Sequence, residues 1–324
     1  MTTSVQPERH RPPALRCGDT IGLIAPAGPI TPDALKAGCA TLLRMGYRPT
    51  YLPSILDREL YFAGSHQRRA HELHEMFARR DVRAILCARG GYGCNYLLPH
   101  LDLDLIRANP KIFAGCSDVT TLLTYLCDAA ELVVFHGPMA AGDFARSDGV
   151  DEVAWHGAVS AGKAHQREFT AEEVQPLKEG TATGVLYGGC LSLLCASLGT
   201  PYEIRTRGTI LFVEDLNEPA YRIDRMLMHL KLAGKLEGVQ GIIFGEMRNC
   251  GRGAEDYTLQ QAIMRVVGDL QVPIAFGLKS GHVSNRNFTL PFGVRATLHV
   301  DTSVRLGFEA AVLPERAAVP ISTS

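Results

Sequence analysis

A chain of 324 residues with 46% apolar and 21% charged side chains has the balance of a folded protein, is long enough for two cores, and is not disordered. A net charge of −1 without any lysine or arginine tract argues against nucleic acid or an anionic membrane as partner. The start is polar and proline-rich, no stretch approaches the roughly 20 apolar residues of a membrane helix, and nine cysteines lie scattered, several in apolar runs, so we expect a cytoplasmic protein with reduced thiols.

Residues 1–15 read as a flexible tail. Residues 20–25 (TIGLIA) form a short apolar run before Pro26, Gly28 and Pro29, the pattern of a buried strand and a turn. A helix follows, with Thr31 as N-cap, Pro32 at its first position and Asp33 in its first turn. Leu35, Cys39, Leu42 and Leu43 share one face of it, and Gly46 ends it. Residues 47–52 predict a strand, and Ser65 caps a helix through Leu73, Met76 and Phe77. Residues 82–88 (VRAILCA) predict a strand that runs into the glycine-rich turn Arg89-Gly90-Gly91-Tyr92-Gly93. Residues 112–115, 119–130 and 132–135 then predict strand, helix and strand. This alternation implies a parallel sheet covered on both faces.

Between about residues 139 and 183 the apolar period fades. We read residues 146–180 as a linker with a short helix, separating a domain over 16–145 from a second over 181–316, with a tail at 317–324. In the second half, residues 185–187, 210–213, 242–244 and 274–278 predict strands, and residues 191–198, 219–233 and 259–267 predict helices. Residues 288–308 alternate with turn residues as a small β meander.

The strongest chemical signal is KIFAGCSDVT over residues 111–120, where an apolar strand ends in Gly-Cys-Ser-Asp and a helix begins at once. A serine on such a sharp strand-to-helix turn is exposed, and the next backbone N–H groups stand at a helix N-terminus, where they stabilise an oxyanion. The competing reading is that Ser117 or Asp118 only caps the helix, and Val119 breaks the fuller G-x-S-x-G pattern. Cys116 is a rival nucleophile, but on an elbow one side chain takes the tip and Cys116 is the residue expected to be buried. His136, in VVFHGPM, and His282, in LKSGHVSNRNFTLPFG, both follow strands, and the residues alone do not choose between them as base. Residues 210–213 (ILFV) deliver Glu214 and Asp215 at a strand end, where a carboxylate orients an imidazole or simply caps the next helix. The turn at 89–93 lacks the spacing of a dinucleotide fingerprint and the lysine of a P-loop; it offers N–H groups to a substrate oxygen, or is only a tight turn. No cysteine and histidine spacing fits a metal, so neither metal nor cofactor is expected.

In order along the chain, GDTIGLIAPAG, ARGGYG, GCSDVTTLL, VFHGPM, GVLYGGCLSLL, FVEDLNEPAYRIDRMLMHL, GIIFGEM and GH…N…LPFG resemble the LD-carboxypeptidase family of serine peptidases, which also holds the microcin C resistance peptidases. The resemblance implies a fold with an N-terminal flavodoxin-like parallel-sheet domain, a C-terminal β-rich α/β domain and an active site between them. It assigns Ser117 as nucleophile, Glu214 as the acid and His282 as the base, and leaves His136 structural. It implies hydrolysis of an L,D amide bond, typically release of terminal D-alanine from murein tetrapeptides in cell-wall recycling. The N–H groups of Asp118 and of Gly90 or Gly91 would bind the oxyanion, and Arg89 or the glycine turn the terminal carboxylate. The alternative within the family cleaves peptidyl or aminoacyl nucleotides; the alternative outside it is a non-enzymatic α/β protein that binds a small molecule. The partner expected is a small peptide or muropeptide, and family members are often homodimers.

Overall fold

The structure is a computed structural model that describes residues 9–160, 164–251 and 256–314. The first half runs β1 (Thr20–Ile24), α1 (Pro32–Arg44), β2 (Arg48–Thr50), α2 (His66–Ala78), β3 (Val82–Cys87), α3 (Leu103–Ala108), β4 (Ile112–Gly115), α4 (Thr120–Ala129) and β5 (Val134–His136). The rest runs α5 (Glu152–Val159), β6 (His165–Phe169), β7 (Gln175–Lys178), β8 (Gly180–Cys190), α6 (Leu191–Ala196), β9 (Thr209–Glu214), α7 (Ala220–Leu232), β10 (Gly241–Gly245), α8 (Leu259–Val267), β11 (Ile274–Leu278), β12 (Leu290–Phe292), β13 (Arg295–Val300) and β14 (Val304–Phe308).

Local chemistry sets the helix starts. The Thr31 side chain accepts the N–H of Ala34 and Pro32 fills the first position of α1, while Ser65 accepts the N–H of Arg68 at the head of α2. At α8, Thr258 and Gln261 satisfy each other's backbone N–H groups in a capping box.

Two sheets result. In the first, parallel strands lie in the order β2-β1-β3-β4-β5, the flavodoxin-like arrangement, and β12 adds to the β5 edge antiparallel. The second has eight strands in the order β6-β14-β13-β8-β9-β10-β11-β7, with β8 to β11 parallel and the outer pairs antiparallel. The central strands β4, β9 and β10 are buried along their whole length, which is why they read as unbroken apolar runs. Side chains such as Leu23, Ile85, Phe113 and Leu123 fill the first core, and Leu186, Phe212, Ile243 and Ile263 the second. Each such burial contributes roughly 1.5–3 kcal/mol relative to exposure.

Three expectations need correction. From residue 9 onward the expected tail is packed: the Arg9 guanidinium donates to the carbonyl of Cys127 at 3.0 Å, and Leu15 is buried. The earlier part of that tail, and the tail at 317–324, lie outside the described residues. The expected linker at 146–180 carries, besides the expected short helix α5, two edge strands of the second sheet, β6 and β7. Their outer faces meet solvent, so their sequence is polar and resembles a loop. In the expected meander, only β13 and β14 form a hairpin; β12 crosses to the first sheet and pairs with β5.

Candidate active site

In a flavodoxin-like sheet, ligand sites form outside the carboxyl ends of the strands, where the strand order reverses. Here that place lies beyond β1 and β3, and the glycine-rich turn follows β3 directly, with the Gly28 N–H donating to the Gly90 carbonyl at 3.0 Å. Ser117 follows the neighbouring β4 and opens a single 3₁₀ turn that leads into α4. Its φ is +62°, a left-handed conformation costly for a serine and typical of a strained elbow that presents its hydroxyl.

The Ser117 hydroxyl lies 3.0 Å from Nε2 of His282. On the other side of the ring, Nδ1 lies 2.8 Å from Oε2 of Glu214, which also accepts the His282 backbone N–H at 3.0 Å. Glu214 ends β9 and is fully buried; His282 stands in the loop after β11. Burial alone would push the Glu214 carboxyl up, but the charge of His282 and its hydrogen bonds bring it below the usual range. Burial likewise lowers His282, yet the charge and hydrogen bond of Glu214, with Asp215 and Asp143 further off, raise it overall above the usual histidine value. The arrangement supplies a hydroxyl, an imidazole to take its proton, and a buried carboxylate to hold the resulting imidazolium.

Glycines let these groups meet. A methyl on Gly90 would stand 2.6 Å from Ser117 Cβ and 2.7 Å from its Oγ, so the turn's backbone lies directly against the hydroxyl. Gly281, at φ +90°, lies against both Glu214 and His136; a methyl there would meet Glu214 Cδ at 2.6 Å and His136 Cε1 at 2.8 Å. Asn287 is buried and bonds both the N–H and the carbonyl of Gly281, at 3.0 Å each, fixing the loop that carries the base.

The remaining predicted residues fall as follows. Cys116 is buried, and burial holds its thiol well above the ordinary value, so it is not the exposed side chain of the elbow. Asp118 turns its carboxylate inward to accept the Cys94 N–H at 2.8 Å, which ties the glycine turn to the serine turn. Gly91 lies beside Gly28. Arg89 is exposed and donates to the Pro29 carbonyl at 3.0 Å. Asp215 accepts the N–H groups of Ser192 and Leu216, each at 2.8 Å, and so caps α6. His136 does not reach Ser117; it lies buried behind Glu214 with Nδ1 2.9 Å from the Ser280 hydroxyl.

Sequence reading missed Arg69. It is buried on α2, and its guanidinium donates to the carbonyls of Gly64, Pro26 and Gly93, gripping the turns after β1 and β3 together. The available signal was an arginine on the apolar stripe of α2, four and seven residues before Leu73 and Met76. Among the described residues, one group of three ligand-type side chains lies close together, Cys190, Glu214 and His282, with ligand atoms within 4.8 Å. Glu214 and His282 already bond each other, and burial keeps the Cys190 thiol protonated, so the chemistry of this set is acid–base. No helix among the described residues is long and apolar enough to cross a membrane.

A flavodoxin-like sheet joined to a second, mixed sheet, with a serine elbow facing a histidine and a buried glutamate, has counterparts among known proteins. Residues 21–137 match the LD-carboxypeptidase N-terminal domain and residues 183–298 the LD-carboxypeptidase C-terminal domain, and the chain belongs to the LD-carboxypeptidase family of peptidases. It is 40% identical over 297 residues to a probable murein peptide carboxypeptidase of Bacillus subtilis, covering 90% of this chain and 92% of that one. It is 32% identical over 288 residues to a murein tetrapeptide carboxypeptidase of Pseudomonas aeruginosa, covering 86% and 92%. The crystal structure of an MccF-like protein from Bacillus anthracis matches with a TM-score of 0.82 at 27% identity, covering 94% of this chain and 99% of that one. Membership of a peptidase family makes the chain a hydrolase and sets aside a purely binding role.

Proposed function

We propose that the chain is a serine-type LD-carboxypeptidase that releases terminal D-alanine from murein tetrapeptides in the cytoplasm. The observation that carries this reading is the unbroken line of hydrogen bonds from the Ser117 hydroxyl through His282 to Glu214. His282 takes the Ser117 proton as the hydroxyl attacks the L,D amide carbonyl, and Glu214 holds the imidazolium. The N–H of Asp118 and that of Gly90 or Gly91 receive the oxyanion. His282 then protonates the departing D-alanine nitrogen, and water, activated by the same imidazole, releases the acyl group from Ser117. Arg89, exposed beside the glycine turn, receives the terminal carboxylate of the peptide. Relatives acting on murein peptides and murein tetrapeptides support the substrate class.

A second reading, a peptidase of peptidyl or aminoacyl nucleotides, is favoured by the 28% identity to the microcin C7 self-immunity protein MccF of Escherichia coli, a protein whose structure is known in complex with aspartyl sulfamoyl adenosine, and uses the same three residues. Turnover of a purified murein tetrapeptide against an aminoacyl sulfamoyl adenosine tests the choice. Faster loss of alanine from the tetrapeptide supports the first reading; turnover of the adenosine compound alone overturns it.

A further inference from the structure

We propose that His136 is a positioning residue for the base: its Nε2–H supports the second carboxylate oxygen of Glu214 and keeps that carboxylate ionised and aimed at His282. This rests on the serine-triad reading given above. Both hydrogen bonds from His282 fall on Oε2 of Glu214. Oε1 is buried and has no hydrogen-bond partner among the described residues, and neither has Nε2 of His136, which stands 3.9 Å from it. A buried carboxylate oxygen without a donor costs stability, and here a donor-capable nitrogen of equal need faces it.

The tautomer follows from the surroundings. His136 is fully buried, and burial, partly opposed by Glu214, lowers it to about 4, so the ring is neutral and carries one N–H. Nδ1 lies 2.9 Å from the Ser280 hydroxyl, which can donate to it; the ring proton then sits on Nε2 and points at the carboxylate. The 3.9 Å separation exceeds a hydrogen bond, and a shift of about 1 Å or less closes it. The ring stacks on Phe292 and meets Phe212, which hold its plane, and Gly281 leaves the space between the two side chains clear. His136 belongs to β5 of the first sheet, whereas Glu214 and Ser280 come from the second, so the contact aligns the base pair with the sheet that carries Ser117. The titratable groups around it are Glu214 and His282, with Asp215, Asp143 and the Cys190 thiol around that pair.

The test is kcat and KM against pH on a murein tetrapeptide for His136→Phe, His136→Asn, His136→Gln and Ser280→Ala, each with a thermal melt. Glutamine sets its amide nitrogen near the place of Nε2, asparagine near that of Nδ1, and phenylalanine offers no donor. Phe and Asn should lower kcat by about tenfold or more at unchanged KM. They should also move the acid limb of kcat/KM to higher pH, because an unsupported carboxylate takes a proton sooner and, while ionised, holds the imidazolium more tightly. Gln should bring both back toward the parent enzyme, and Ser280→Ala should move the limb the same way by less. Equal profiles for Gln and Asn, or an unmoved limb throughout, would overturn the proposal. If the ring variants do not fold, Ser280→Ala decides alone, an unmoved limb counting against it. Ser117→Ala in the same assay separates the two ideas: an active enzyme sinks the triad reading, while an inactive one beside unmoved limbs sinks only the role of His136.

Discussion

The Ser117 backbone is bent into a conformation that costs on the order of 1 kcal/mol or more, and the buried neighbours Cys116 and Asp118 hold it there. The thiol and the hydroxyl therefore have opposite fates on adjacent residues. Cys116→Ala should keep most activity, a result read directly from turnover, whereas loss of turnover equal to that of Ser117→Ala would move the nucleophile to the thiol. The base makes a second prediction. As the proposed base, His282 would act only when neutral, and its raised value means that it gives up its proton above the ordinary 6.5, so kcat/KM should rise with pH to a midpoint above 6.5. In Glu214→Gln the imidazolium loses its anion; the midpoint should fall and turnover should drop by about 10⁴-fold or less. A pH profile with an unchanged midpoint in that variant would contradict the assignment. At this scale the sequence revealed the elbow because strand, turn and helix are local. It did not choose between His136 and His282, because both stand at strand ends and the approach of His282 to Ser117 spans 165 residues of chain. The family resemblance made that choice; in the structure it is the His282 ring that lies 3.0 Å from the Ser117 hydroxyl.

The elements matter through the turns between them. Arg69 lies on α2 but grips the turns after β1 and β3, and Asp118 binds the same glycine turn from the serine side. Arg69→Lys replaces a fork of donors by a single point charge, so the turn should loosen. Displacement of the proposed oxyanion donors by even 1 Å should lower kcat/KM by roughly tenfold to a hundredfold, and the carbonyls left unpaired should lower the melting temperature as well. Full activity would show that the grip does not matter for the site. Gly90→Ala should be harsher, because its methyl meets Ser117 at 2.6 Å. Loss on the order of 10²-fold or more in kcat is expected if the backbone there receives the oxyanion. Most elements were legible where a capped, periodic helix or a buried apolar strand stood: α1, α2, α8 and β11 fall where expected. Edge strands β6 and β7 were not, since half-solvated strands mix polar and apolar residues as loops do.

At the scale of the molecule, the two sheets are not independent. β12 comes from the C-terminal half yet closes the first sheet against β5, with Leu290 opposite His136. Its three residues carry no sequence mark of which sheet they join, so the alternation at 288–308 suggested one meander instead. The β5 edge would stand open without it, and a fragment ending at residue 145 should aggregate or remain poorly ordered. A soluble, cooperatively melting fragment would contradict that dependence. The same interlock brings Ser117 from one sheet to Glu214 and His282 from the other, so the three proposed catalytic groups meet only in the whole chain. The most direct measurement is mass spectrometry of a purified murein tetrapeptide incubated with the parent enzyme and with Ser117→Ala. The parent enzyme should remove one alanine, and the variant, folded to the same melting temperature, should be slower by a factor of the order of 10⁶. Alanine release by Ser117→Ala at a rate near that of the parent, or none by either protein, would contradict it.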